Sequence, residues 1–88
     1  MRLSPSCFNN QPYRPIFVYG KEALDSLKTA LAKGNEWATN TTLIIVIASK
    51  PADDCVIGDR QYFLFDCGLA IGEMMLCATE LGLIAHPI

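Results

Sequence analysis

Ten residues near the start of the chain, Ser4 to Tyr13 (SPSCFNNQPY), concentrate the groups that could do chemistry. Asn9, Asn10 and Gln11 offer amide donors and acceptors, and Ser4 and Ser6 add hydroxyls. This neutral set suits the edge of a heteroaromatic ligand, where donors and acceptors alternate. The plainer reading of the same residues is a polar surface loop. Pro5, Pro12 and the serines and asparagines between them exclude a regular helix or strand. Elsewhere the candidates are few. Cys7, Cys55, Cys67 and Cys77 form no C-x-x-C pair and are read as reduced thiols, mostly packing groups, with Cys7 a small filler of the loop. His86 is the only histidine, so zinc is not expected and no catalytic role falls to it. Met74 and Met75 are read as packing residues. No residue is assigned as catalytic or as a metal ligand.

The elements that must position this loop follow from pattern. Arg14–Tyr19 (RPIFVY) predicts a short strand ended by Gly20, with Pro15 at its start or on an edge. Lys21–Lys33 predicts an amphipathic helix with Leu24, Leu27 and Leu31 on one face, capped by Gly34. Residues 35–40 (NEWATN) are a connector, and Thr42–Ser49 (TLIIVIAS) predicts a strand apolar on both faces, as in a covered parallel sheet. Lys50–Gly58 reads as a surface loop. Asp59–Gly82 then predicts one long helix of roughly 34 Å, capped by Asp59 and ended at Gly82. Asp66, Glu73 and Glu80 recur every seven residues on it as one solvated or hydrogen-bonded stripe. Nearly all the rest of its circumference is apolar, and Gly68 and Gly72 form a notch one turn apart, so the helix must be buried on several sides.

The fold class expected is therefore α/β, in the order strand, helix, strand, long helix, with the strands parallel and joined by a right-handed crossover. At 88 residues the chain is one domain at most, residues 1–88, divided into a loop (1–13), a β-α-β unit (14–49) and the long helix (59–82). Hydrophobic residues make up 51%, which excludes global disorder. A net charge of −2 gives no footprint for nucleic acid. Three acids in the apolar helix argue against a membrane span. With no apolar leader after Met1, a cytoplasmic protein is expected. Two strands cannot cover so much apolar surface, so the chain reads as part of a larger fold or half of a dimer.

The loop Pro5-Ser6-Cys7-Phe8-Asn9-Asn10-Gln11-Pro12-Tyr13 resembles the P-S-x-x-N-x-Q-P-aromatic segment of the FMN-dependent nitroreductase family. GNEWATN followed by TLIIVIAS resembles that family's Gly-Asn-x-Trp connector and buried second strand, and YFLFDCGLAIGEMMLCATELGLIAHPI resembles its long helix and exit. The resemblance covers essentially the whole chain. It implies a mixed α/β sheet flanked by helices in an intertwined homodimer, with FMN at the subunit interface. It implies a flavoprotein oxidoreductase with ping-pong chemistry: NAD(P)H gives a hydride to flavin N5, and the reduced flavin passes electrons to a nitroaromatic, a quinone or a similar small-molecule acceptor. By the same resemblance Pro5, Ser6, Asn9 and Gln11 would lie against the flavin, typically from the neighbouring subunit. Pro87 and Ile88 would pass the isoalloxazine ring, and Asn35 would stand near the pocket.

Departures from the pattern set a second expectation. The family begins with a helix whose Arg-x-Ser-x-Arg motif grips the FMN phosphate, and it continues past Pro-Ile with residues facing N5. This chain resembles the second quarter through the middle of a full-length member. Pro15 stands where the family prefers an apolar residue other than proline. Arg2 lies in a terminus expected to fray, and Arg14 heads into a strand, so weak or absent FMN binding is expected. The alternative function is a truncated, non-catalytic remnant that dimerises but binds no cofactor.

Overall fold

The computed structural model describes residues 1–88. The elements in chain order are β1 (Arg14–Tyr19), α1 (Lys21–Lys28), β2 (Leu43–Ala48), β3 (Val56–Ile57), β4 (Arg60–Gln61) and α2 (Phe63–Glu80). Single 3-10 turns lie at Cys7–Asn9, Glu36–Asn40 and Pro51–Asp53. The chain is a small mixed α/β protein with two helices and two small antiparallel sheets, β1-β2 and β3-β4. It divides into two compact units, one of residues 1–14 and 47–87, the other of 15–46 with Ile88. No helix is long and apolar enough to cross a membrane.

In the second unit, β1 occupies the bounds its pattern predicts, and Gly20 ends it at φ 83°, a conformation that suits glycine. The expectation of a parallel pair is corrected, since β1 and β2 run antiparallel. An apolar, β-branched strand reports how much burial it wants, not which way it runs. α1 stops five residues short of the predicted Lys33. At its end the Thr29 hydroxyl donates to the Ser26 carbonyl (2.7 Å) and the Thr29 N–H turns to the same oxygen (3.3 Å). Serine and threonine compete for the backbone in this way and tighten the last turn. Leu24 is the residue that α1 buries, and Leu27 and Leu31 are only half-buried. Exposure of Leu43 and Val46 leaves β2 less covered than its composition predicts.

In the first unit, the long helix begins four residues later than predicted. Asp59 is not its cap: Gly58 and Asp59 form the two-residue turn of a hairpin with Val56 opposite Gln61 and Ile57 opposite Arg60. Gly58 takes φ 65°, as the first turn residue of a primed hairpin turn requires. The Tyr62 N–H donates to the Cys55 carbonyl (3.1 Å), and only then does α2 start. Its end is the predicted one. Gly82 at φ 77° donates to the Thr79 carbonyl (3.0 Å) while the Leu83 N–H reaches the Ala78 carbonyl (2.9 Å), the paired bonds of a Schellman cap. α2 buries Asp66, Cys67 and Ala70, and Tyr13 packs with Cys67 and Ala70 beside Met1, Ile47 and Ile71. The charged stripe is split, with Asp66 only 2% exposed and Glu73 and Glu80 in solvent.

Candidate functional site

The Ser4–Tyr13 loop is fastened at both ends. Ser4 donates its N–H to the Met1 carbonyl (3.0 Å), and the Tyr13 hydroxyl donates to the same oxygen (2.8 Å). The Gln11 side-chain amide donates to the Arg2 carbonyl (3.2 Å). The N-terminus is thus held at its backbone, not frayed as expected. Nor is the loop marginal to the core: Pro12 is fully buried, and Ser4 and Tyr13 are nearly so. Burial, reinforced by the charge of Glu73, pushes the Tyr13 hydroxyl above its ordinary range, so it stays a donor.

Between these anchors the backbone makes an unusual turn. Phe8, Asn9 and Gln11 all have positive φ, at 48°, 58° and 48°. Asparagine tolerates that region, but for Phe8 and Gln11 it costs about 1–2 kcal/mol each. Two side-chain acceptors hold the turn. Ser6 Oγ accepts the Gln11 N–H (3.0 Å), and Asp66 Oδ2, from the first turn of α2, accepts the Cys7 N–H (2.6 Å). Burial raises the Asp66 carboxyl above its usual range; the Cys7 N–H pulls it down and the neighbouring Asp54 pushes it further up. Arg14, expected to head away along its strand, folds its guanidinium back to donate to the Gln11 (2.9 Å) and Tyr13 (3.0 Å) carbonyls.

The reduced-thiol expectation is corrected at Cys7, which is disulfide-bonded to Cys55 with Cα atoms 6.0 Å apart. Cys7 is therefore a cross-link, not a filler. The two are 48 residues apart, and no spacing rule singles out this pair among the four cysteines, so only spatial proximity could select it. Cys67 is a buried thiol and Cys77 an exposed one. Asp54 stands beside the bridge: its Oδ1 accepts from the Cys55 N–H (2.8 Å) and from the Asn10 amide (3.3 Å), which also reaches Cys55 Sγ (3.5 Å).

Of the residues singled out from sequence, Pro5, Ser6, Asn9 and Gln11 share this loop, Asn9 and Pro5 exposed and Ser6 and Gln11 half-buried. Pro87 lies in the exposed tail of the same unit. Asn35 and Ile88 fall in the other unit, where Asn35 opens the Glu36–Asn40 turn and its carbonyl accepts the Ala38 N–H (3.0 Å). The residues that hold the loop, Asp66, Asp54 and Cys55, went unrecognised as site residues. Asp66 carried no usable signal: with the helix read from Asp59 it lay beyond the first turn, and only the observed start of α2 at Phe63 places it where the helix dipole favours an anion. An open hollow at the start of α1, lined by Tyr19, Gly20, Lys21, Glu22, Ala23 and Ser26, contains none of the predicted residues. No model of a known protein family matches the chain, and no curated protein matches its sequence.

Proposed function

We propose that the chain is a flavin-binding element of the nitroreductase type, acting as a homodimer in NAD(P)H-dependent reduction of nitroaromatics, quinones or similar acceptors. The observation that carries the proposal is the built loop. Strained backbone collects at ligand sites, where the surroundings hold it in place. Here a buried carboxylate, a serine hydroxyl and a cross-link hold a turn that leaves Phe8 and Asn9 exposed. Ser6, Asn9 and Gln11 fit the pyrimidine edge of an isoalloxazine ring by donor and acceptor type. They do not fit the phosphate of FMN: none is basic, and the guanidinium of Arg14 is turned to loop carbonyls. FMN would supply the redox chemistry between NAD(P)H and the acceptor, with Ser6, Asn9 and Gln11 holding its ring edge. The chain's own part is to orient the ring edge.

The missing base favours a second reading, a dimerising remnant that takes no cofactor. Calorimetry with FMN and riboflavin separates the two. The flavin reading expects both ligands to bind weakly and about equally, because the phosphate gains no charged partner, each worth roughly 1.5–3 kcal/mol. Asn9→Ala with Gln11→Ala should abolish that binding while circular dichroism stays unchanged. Heat from neither ligand leaves the remnant. Submicromolar FMN binding with a strong preference over riboflavin would overturn the neutral-site argument. A cytoplasmic address belongs to the same proposal, and there the Cys7–Cys55 bridge would meet reducing conditions.

A further inference from the structure

Cys7 Sγ, Cys55 Sγ and a carboxylate oxygen of Asp54 lie within 4.8 Å of one another. The zinc tetrahedron, with metal–sulfur bonds near 2.3 Å and metal–oxygen bonds near 2.1 Å, sets its ligand atoms about 3.5–3.8 Å apart. Side-chain rotation alone can open the sulfurs to that spacing, because the two backbones are already 6.0 Å apart at Cα. A separate feature points to a cation. Asp54 Oδ2 is buried, and no amide or hydroxyl group donates to it. The neighbour it meets is the carboxyl of Asp66, itself 2% exposed, with which Asp54 shares a side-chain hydrogen bond. The donors that reach the two carboxylates, the Cys7 and Cys55 N–H groups and the Asn10 amide, are all neutral. No cationic group reaches either carboxyl, and the two sulfurs lie within 4.8 Å of an Asp54 oxygen.

We propose that, with the Cys7–Cys55 bridge reduced, Cys7, Cys55 and Asp54 bind a thiophilic divalent cation of the zinc class. The bridge is opened by a dithiol: the S–S bond breaks, Cys7 and Cys55 gain two electrons and two protons as thiols, and the dithiol closes to its own disulfide. Binding forms two metal–thiolate bonds and one metal–carboxylate bond and releases the two thiol protons. Asn10, which donates to both Asp54 and Cys55, acts from outside the ligand set to orient them. Oxidised, the site is a cross-link; reduced, it is a metal clip between the same two segments. The inference stands apart from flavin binding, and its readout involves no flavin.

The test uses the full chain carrying Cys77→Ser, which removes the exposed thiol. Under anaerobic dithiol reduction, Co²⁺ should give a thiolate-to-metal charge-transfer band that saturates at one equivalent and is bleached by Zn²⁺. The disulfide form should give no such band. Cys55→Ser should abolish it, and Asp54→Asn should weaken Co²⁺ affinity at least about tenfold. An unfolded chain would bind cobalt through its thiolates whether or not Asp54 is present. Equal affinity in the parent and Asp54→Asn therefore overturns the proposal, as does the absence of a charge-transfer band in the reduced parent.

Discussion

Asp66 shows how one buried side chain can shape a loop 59 positions away in the chain. Its Oδ2 takes the Cys7 N–H at 2.6 Å, which ties the strained turn to the start of α2. Bonds of this charged kind contribute about 1.5–3 kcal/mol, against the cost of burying a carboxylate. Burial already raises the carboxyl's proton affinity, so the position should need an acceptor oxygen more than it needs a charge. Asp66→Ala is expected to lower unfolding free energy by about 2 kcal/mol, and Asp66→Asn by less than about 1 kcal/mol. Urea denaturation of the oxidised proteins measures both. Equal losses for the two would show that the charge, not the acceptor, holds the loop.

At the scale of elements, caps and turns decide where helices begin and end. α2 stops because Gly82 enters the left-handed region and satisfies the carbonyls of Ala78 and Thr79 through its own N–H and that of Leu83. An added Cβ at Gly82 would meet nothing within 4 Å, so the cost of Gly82→Ala is conformational only. The expected loss is about 1 kcal/mol, read as a lower urea midpoint with an unchanged denaturant slope. A larger loss would mean that packing at the helix exit also depends on the glycine. The other end of α2 is set by the Gly58-Asp59 turn and by the cross-link at Cys55 just before it. Closing a loop of 48 positions restricts the unfolded chain by about 4 kcal/mol in the chain-entropy picture.

The whole molecule leaves too much apolar surface in water. It exposes 6651 Å², where a monomeric protein of 9.7 kDa exposes about 5100 Å². A standard interface takes about 800 Å² from each partner, so the surplus, about 1,500 Å², is more than one dimer contact needs. Leu64, Phe65 and Leu76 on α2 are each more than half exposed. Gly68 and Gly72 face open space within the chain. Gly72→Leu is therefore expected to leave the monomer fold intact and weaken self-association at least about tenfold, or 1.4 kcal/mol. Sedimentation across micromolar concentrations reads it. A parent protein that stays monomeric in that range sinks the proposed dimer.

What the sequence by itself determined was local. The bounds of β1, the stop at Gly20, the irregular Ser4–Tyr13 loop and the exit of α2 at Gly82 all follow from residues acting on near neighbours in the backbone. The same local logic could have found the Gly58-Asp59 hairpin, whose turn signal lay beneath the apolar run assigned to the helix. The sense of β2 against β1, the meeting of Cys7 with Asp54, Cys55 and Asp66, and the inward turn of Asp66 on a helix whose other acids face water were decided only by tertiary structure. The contacts of Cys7 join segments more than 40 positions apart, and β1 and β2 are separated by the whole of residues 20–42. No spacing rule links such segments, because their encounter depends on how the intervening chain folds back and on which apolar faces it must cover.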